Sequence, residues 1–258
     1  MTLDRETGRA FLRDDVRMRV DFAATAQSRG VPAPPAQAAA PSDAPRVALP
    51  PPGAWPGVLP VPVADAVGRR ASRRAYTDAP LTIDELAFLL WSCQGVKRRL
   101  RHGITLRTVP SAGARHPFET RVAALRVAGL DAAVYRYLPL DHQLVKEAAP
   151  DRLGPGLAEA ALGQAFVADA AAVFVWTAVP ARTEWRYAEA AYKVIAIDAG
   201  HVCQNLYLAC ECVGAGTCAI AAYRQDLMDE LMGVDGREEF TVYLAPVGKV
   251  ADLGPPSS

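Results

Sequence analysis

Four arginines and a serine stand together in Arg69-Arg70-Ala71-Ser72-Arg73-Arg74-Ala75-Tyr76. Planar guanidiniums flanking a hydroxyl can grip a phosphate dianion through paired, charge-assisted hydrogen bonds. A solvated basic run or a kinase-type recognition sequence would read the same way. A second stretch, Val109-Pro110-Ser111-Ala112-Gly113-Ala114-Arg115-His116-Pro117, has small residues between prolines. Such a loop lets backbone approach a flat ligand closely. Ser111 and His116 could suggest a hydrolase, but neither a nucleophile elbow nor an acid partner is present. A third group, Arg182-Thr183-Glu184-Trp185-Arg186-Tyr187 with Tyr192-Lys193 behind it, mixes cations and aromatics. It reads equally as the lining of a polar cleft and as the start of an amphipathic helix.

Other signals point away from chemistry. Gly214-Ala215-Gly216-Thr217 follows a helix instead of opening one after a strand, so it reads as a helix stop and not as a dinucleotide fingerprint. His201 falls within an apolar helical pattern and is expected to be a hydrogen-bonded core histidine. Cys210 and Cys212 diverge on a helix and have no histidine at metal spacing, so no zinc site is expected.

The elements that must position these residues begin near Asp65. Leu81–Gln94 reads as a helix capped by Thr82, with Glu85 closing a capping box and Gly95 as the stop. Strands are expected at 120–127, 133–138 and 143–147, joined as an antiparallel meander. Residues 156–166 read as a helix. The apolar run 171–179 reads as a strand buried on both faces. Residues 188–213 are expected to form a long core helix, followed by a short helix at 225–232 closed by Gly233 and a last strand at 240–247. This order predicts an α+β fold.

The chain has 258 residues, 51% hydrophobic, with 28 basic and 28 acidic side chains. That length can bury a sizeable core. Zero net charge gives no electrostatic reason for nucleic acid or an anionic membrane as partner. The longest apolar stretch, 170–179, is about half of what a membrane-spanning helix needs. The opening MTLDRETGR has no hydrophobic region, so no secretory signal is expected. Five cysteines without paired spacing predict buried reduced thiols and a cytoplasmic setting.

Eleven of the 21 prolines fall between Val31 and Pro62. Such a segment cannot propagate a helix or a central strand. It is expected to be an extended arm, either a tether behind a short charged helix within 8–28 or a strap across a partner subunit. The division expected is 1–64 for helix and arm, 65–250 for the main domain, and 251–258 for a disordered tail.

The order of the motifs carries further meaning. Arg70-x-Ser72-x-Arg74 precedes the first helix of the domain, and Pro110-Ser111-Ala112-Gly113 follows. Ala199 to Leu206 reads Ala-Gly-His-x-x-Gln-Asn-Leu, then come Gly214-x-Gly216 and a terminal Pro-Val-Gly-Lys. In this order they resemble the nitroreductase-like flavoprotein superfamily, and within it the thiazoline/oxazoline-dehydrogenase branch (the SagB/ThcOx type). The resemblance covers roughly 67–249.

It implies a nitroreductase-like fold with a mostly antiparallel sheet flanked by helices, dimerised around two FMN molecules at the interface. Arg70, Ser72 and Arg74 would hold the FMN phosphate. Pro110, Ser111, Ala112 and Gly113 would arrive from the other subunit to cover the flavin ring. Gln164 would reach the ring's polar edge, Ala219, Ile220 and Ala221 would pass over one face, and Gly248 and Lys249 would return to the phosphate side. The branch has a Lys-Tyr pair where this chain has Arg186-Tyr187. Arginine stays protonated, so Tyr187 would be the base, with Arg186 as the neighbouring charge. The implied function is an FMN-dependent oxidoreductase that exchanges hydride with flavin N5, oxidising an azoline ring in a peptide-derived substrate. The alternatives are a generic NAD(P)H-dependent nitro or quinone reductase and a non-catalytic flavin-fold subunit of a modification complex.

Overall fold

The computed structural model describes residues 5–252; the end of the expected tail, 253–258, lies outside them. The chain opens with α1 (Arg5–Leu12), β1 (Arg46–Ala48), α2 (Val63–Arg69) and α3 (Ile83–Gln94). A small hairpin follows, β2 (Val96–Arg99) and β3 (Thr105–Arg107), then the meander β4 (Phe118–Ala124), β5 (Ala133–Leu138) and β6 (Gln143–Ala148). After α4 (Leu153–Ala160) come β7 (Ala172–Ala178), α5 (Ala181–Tyr187) and α6 (Ala191–Glu211). The chain closes with β8 (Ala215–Thr217), α7 (Gln225–Met232) and β9 (Phe240–Lys249). The main sheet runs β1-β6-β5-β4-β7-β9-β8 and every neighbouring pair is antiparallel. This is the α+β architecture expected.

Strand β7 explains how the layers stack. Successive strand side chains point to opposite faces. Phe174 and Trp176 pack with α3 and α6, while Val173 and Val175 pack with α4 and α7. The sheet is therefore covered by helices on both faces, which is why this strand is apolar without alternation. Cutting Phe174 or Trp176 back to alanine would cost about 3–5 kcal/mol.

The start of α3 follows its capping box. Thr82 Oγ1 accepts from Glu85 N at 3.2 Å, and the Glu85 carboxylate accepts from Thr82 N at 2.9 Å. Helix α6 buries Ile195, Ala199, Val202, Leu206 and Cys210, and presents Tyr192 and Ile197 to solvent. His201 is on that exposed face, contrary to its expected core position, with Nδ1 3.8 Å from Asp198. The long helix expected over 188–213 is present as α6 and starts at Ala191, because Ala188 has φ +45° and separates α5 from α6. Residues 156–166 are split, since Leu162 and Gly163 both have positive φ just after α4.

The arm is not a free tether, and it contributes to the core. Residues 8–28 form the end of α1 and two tight turns instead of one helix. Val47 pairs with Leu144 in β6, and Trp55 packs edge-on to Phe88 at 5.3 Å. The backbone of residues 36–39 meets a buried ionic cluster. Arg107 donates to Ala36 O (2.6 Å), Arg136 to Ala38 O and Ala39 O (3.0 Å each), and Ala38 N donates to Glu119 (2.8 Å). Glu119 also pairs with buried Arg182. Among the described residues the five cysteines are unbridged, and burial pushes the Cys203 thiol up to about 12.

Candidate functional site

The arginine run leaves α2 in an extended conformation and passes over α6. Arg69 and Arg73 both turn to the buried carboxylate of Glu211, at 3.6 and 2.7 Å. Arg70 and Arg74 make no ion pair among the described residues. The Arg70 guanidinium lies 5.3 Å from the Tyr207 ring centre, and Arg74 lies 6.0 Å from that of Phe166. Ser72 Oγ shares a hydrogen bond of 3.1 Å with the Tyr207 hydroxyl, which also accepts from Ala219 N at 2.8 Å. Half of the run thus turns inward to share one carboxylate, and half remains open on either side of an exposed hydroxyl.

Gly214-Ala215-Gly216-Thr217 does more than stop α6. Gly214, with φ +61°, ends the turn, and Ala215–Thr217 become strand β8 on β9. Thr217 then bridges to Ser72, and its carbonyl accepts from Arg73 N at 3.0 Å. A Cβ on Gly216 would stand 2.7 Å from Arg73 Cβ, and one on Gly248 would stand 2.6 Å from the Tyr76 ring. These two glycines let the sheet edge close against the arginine segment. Lys249 reaches Glu85 and the carbonyl of Val213. Ile220 bridges to Leu244, and exposed Ala221 follows it. Gln164 Nε2 donates to Ala161 O at 2.8 Å and to Ala222 O at 3.3 Å, beside that segment.

The Pro110–Gly113 loop forms a separate cluster. Ser111 Oγ accepts from His116 N (2.8 Å), while the His116 ring bonds to Thr105 O (3.1 Å). Ser111 and His116 are thus linked through backbone, and no nucleophile–base pair exists between them. Burial and the nearby Arg107 charge push the His116 imidazole down to about 3. Ala112 N donates to both carboxylate oxygens of Asp198 at 3.3 Å, and burial raises the Asp198 pKa. Gly113 has φ +58° and lies directly on Arg186 and Tyr187. The Arg186 guanidinium is 5.6 Å from the Tyr187 ring centre, and the Tyr187 hydroxyl has no hydrogen-bond partner among the described residues.

The structure brings together two groups that are far apart in sequence: 70–74 with 217–219, and 110–113 with 186–187. They touch α6 at Tyr207 and Asp198, nine residues or about 14 Å apart along the axis. Tyr207, Asp198 and Glu211 were missed from sequence. Tyr207 directly follows the Ala199–Leu206 motif and shares a helix face with Glu211, four residues on. That spacing was the available signal. Asp198 has His201 three residues on as a local signal, but its contacts with Ser111 and Ala112 come from a distant segment.

Comparison with known proteins adds a lineage to this geometry. The profile described as the nitroreductase family matches residues 66–249. A nitroreductase-type protein of Methanocaldococcus jannaschii is 33% identical over 194 residues, covering 75% of this chain and 94% of its own. The trifolitoxin-processing protein of Rhizobium leguminosarum bv. trifolii is 28% identical over 133 residues, 50% of this chain and 36% of its own. Among solved structures, a nitroreductase-type protein of Ralstonia eutropha has TM-score 0.66 and 27% identity, covering 85% of this chain and 95% of its own. One of Anabaena variabilis has TM-score 0.65 and 26% identity over 81% of this chain and 42% of its own. A chain of the Escherichia coli microcin synthetase complex, solved with a truncated microcin precursor bound, shares the fold. Its TM-score is 0.60 at 21% identity, covering 97% of this chain and 99% of its own.

Proposed function

The chain belongs to the nitroreductase family, whose members are flavin-dependent oxidoreductases, and we propose that it is an FMN-dependent oxidoreductase acting on a peptide-derived azoline. The observation that carries the cofactor reading is the division of the arginine run. Arg70 and Arg74 stand open beside the Ser72 hydroxyl, while Arg69 and Arg73 turn inward to share Glu211. Two unpaired guanidiniums flanking a hydroxyl fit a terminal phosphate dianion, and the Gly216 and Gly248 approaches hold that segment in place. Bound FMN would supply a two-electron acceptor and donor at N5.

The chain's own residues would do the rest. Arg70, Ser72 and Arg74 would bind phosphate, with Gly248 and Lys249 behind them. Ala219, Ile220, Ala221 and Gln164 would line the ring, and Pro110–Gly113 would close over it from a second copy. A homodimer is thus part of the proposal, and the exposed Tyr192 and Ile197 of α6 support it as the contact face. Oxidising an azoline ring removes one hydride and one proton. Tyr187 would take that proton as its phenolate, and Arg186 beside it, which stays charged and cannot be the base, would stabilise the phenolate's negative charge. No helix among the described residues is long and apolar enough to cross a membrane.

The azoline reading draws support from the peptide-processing relatives. Arg186, standing where that branch has lysine, instead favours a nicotinamide-dependent nitro or quinone reductase. Purified protein is expected to be yellow and to release FMN on denaturation; colourless protein that cannot be reconstituted overturns the cofactor reading. Anaerobic mixing with NADH or NADPH separates the substrate readings, since slow bleaching supports the azoline enzyme and rapid bleaching the generic reductase.

A further inference from the structure

A second cation-lined cleft, of about 590 Å³, opens between the arm and α5. Val31 and Ala33 line it from the arm, and Gly113, Arg115, Trp185 and Arg186 from the domain. Its size suits a small ligand or one segment of a larger one. The arm is fixed there as a wall: Trp185 Nε1 donates to Val31 O at 2.8 Å, and Gln27 N donates to Trp185 O at 2.9 Å.

Two guanidiniums line this cleft, and no carboxylate does. Arg115 is held in a defined pose. Its Nε donates to Gly113 O at 3.2 Å, and its guanidinium lies 4.8 Å from the Trp185 ring centre. Its terminal nitrogens have no protein acceptor among the described residues. Arg186 is exposed on the same cleft. Burial and the charge of Arg186 lower the Arg115 pKa, which places the two cations within electrostatic reach of each other. Like charges brought together without an internal counter-ion lose their mutual repulsion when an anion enters between them.

We propose that this cleft binds an oxyanion, carboxylate or phosphate, attached to an apolar group of the substrate, with Arg115 and Arg186 as the donors and the arm as one wall. That the ligand is the substrate rests on the function proposed above, since Gly113 joins the cleft to Tyr187; the anion site itself does not.

The test is calorimetric titration of the full chain with hexanoate, hexyl phosphate and hexanamide, which share an apolar tail and differ in the head group. Hexanoate and hexyl phosphate are expected to bind saturably and hexanamide not to. Tighter binding of hexyl phosphate assigns the site to a phosphate ligand, and tighter or equal binding of hexanoate to a carboxylate. Arg186→Gln and Arg115→Gln are each expected to weaken the anions about tenfold, the loss of one charge-assisted contact. Ala33→Asp, which adds the missing carboxylate from the arm side, is expected to do the same. Equal binding of hexanoate and hexanamide, no binding of either anion, or unchanged affinity in folded Arg186→Gln overturns the proposal. Because binding is read without turnover, colourless protein that cannot be reconstituted with FMN but still binds hexanoate would defeat the flavin reading and leave this site standing.

Discussion

Gly113 and Tyr187 are in direct contact: a Cβ built on Gly113 would stand 2.9 Å from the Tyr187 hydroxyl oxygen and 2.7 Å from Arg186 Cδ. The loop read from sequence as a cover for a flat ligand therefore also positions the candidate base. Glycine is required twice here, once for its φ of +58° and once for the missing side chain.

Gly113→Ala is expected to move Tyr187 as well as strain the loop. The left-handed backbone alone costs about 1–2 kcal/mol, and the methyl group must displace either Arg186 or the phenol. Turnover per bound FMN is expected to fall tenfold or more, since misplacing a catalytic group by about 1 Å can cost 10². Melting temperature and turnover measured together check this. A variant with a lowered melting temperature and unchanged turnover per flavin would separate Gly113 from Tyr187 function.

The arm is expected to be part of the fold's stability through residues 36–39. Ala38→Pro removes one N–H donor from Glu119, a charge-assisted bond in a buried cluster, at about 1.5–3 kcal/mol. Ala36→Pro keeps the carbonyl that accepts from Arg107 and serves as the control. Calorimetric melting is expected to fall by roughly 3–10 °C for Ala38→Pro and by much less for Ala36→Pro. Equal melting of the two would show that the arm's hydrogen bonds are not what secures it.

Acid sensitivity follows from His116. Its imidazole is pushed down to about 3 by burial and the charge of Arg107, against about 6.5 in the unfolded chain. Between those values the unfolded chain binds a proton that the folded one excludes. Stability therefore falls as pH drops from about 6.5 toward 3, with a limiting slope near 1.4 kcal/mol per pH unit. His116→Asn, which suits the ring's position at φ +47°, is expected to flatten that part of the curve. Denaturant unfolding at several pH values reads the slope, and parallel curves for wild type and variant would remove His116 as the cause.

Local rules made much of the fold legible. The capping box at Thr82 and Glu85, the unbroken apolar strand through Phe174 and Trp176, and α7 with its Gly233 stop each depend on neighbours in sequence. What escaped depends on distant partners. Ala215–Thr217 is a strand only because β9 and the Ser72 segment lie on either side of it. Residues 36–39 have no periodicity of their own, and they dock because Arg107, Arg136 and Glu119 need acceptors and a donor. His201 fits the apolar pattern of α6, yet its position on the helix turns it outward. In the candidate site, Arg70, Ser72, Arg74 and the Gly113 loop were readable as motifs. Tyr207 and Asp198 join those motifs to α6 through contacts that no motif encodes.

The division of labour within the arginine run gives the most direct test of the cofactor site. Arg70 and Arg74 have no carboxylate partner among the described residues, so replacing either removes charge available to a ligand and breaks no internal ion pair. Arg73 is bound to Glu211 at 2.7 Å, so its loss removes the closer cation from a buried carboxylate and leaves it only the longer contact with Arg69, at 3.6 Å. Arg70→Ala and Arg74→Ala are therefore expected to keep their melting temperature and to bind FMN about 10- to 100-fold more weakly, as loss of a charge-assisted contact of about 1.5–3 kcal/mol requires. Riboflavin, which has the ring but no phosphate, is expected to bind wild type and both variants alike. Arg73→Ala is expected to reverse the pattern, losing about 3 kcal/mol of stability before any specific effect on FMN. Titrating the apoprotein with FMN and riboflavin by flavin fluorescence distinguishes these outcomes. Equal weakening of both flavins in Arg70→Ala and Arg74→Ala would place these arginines at the ring or in the fold, and not at the phosphate.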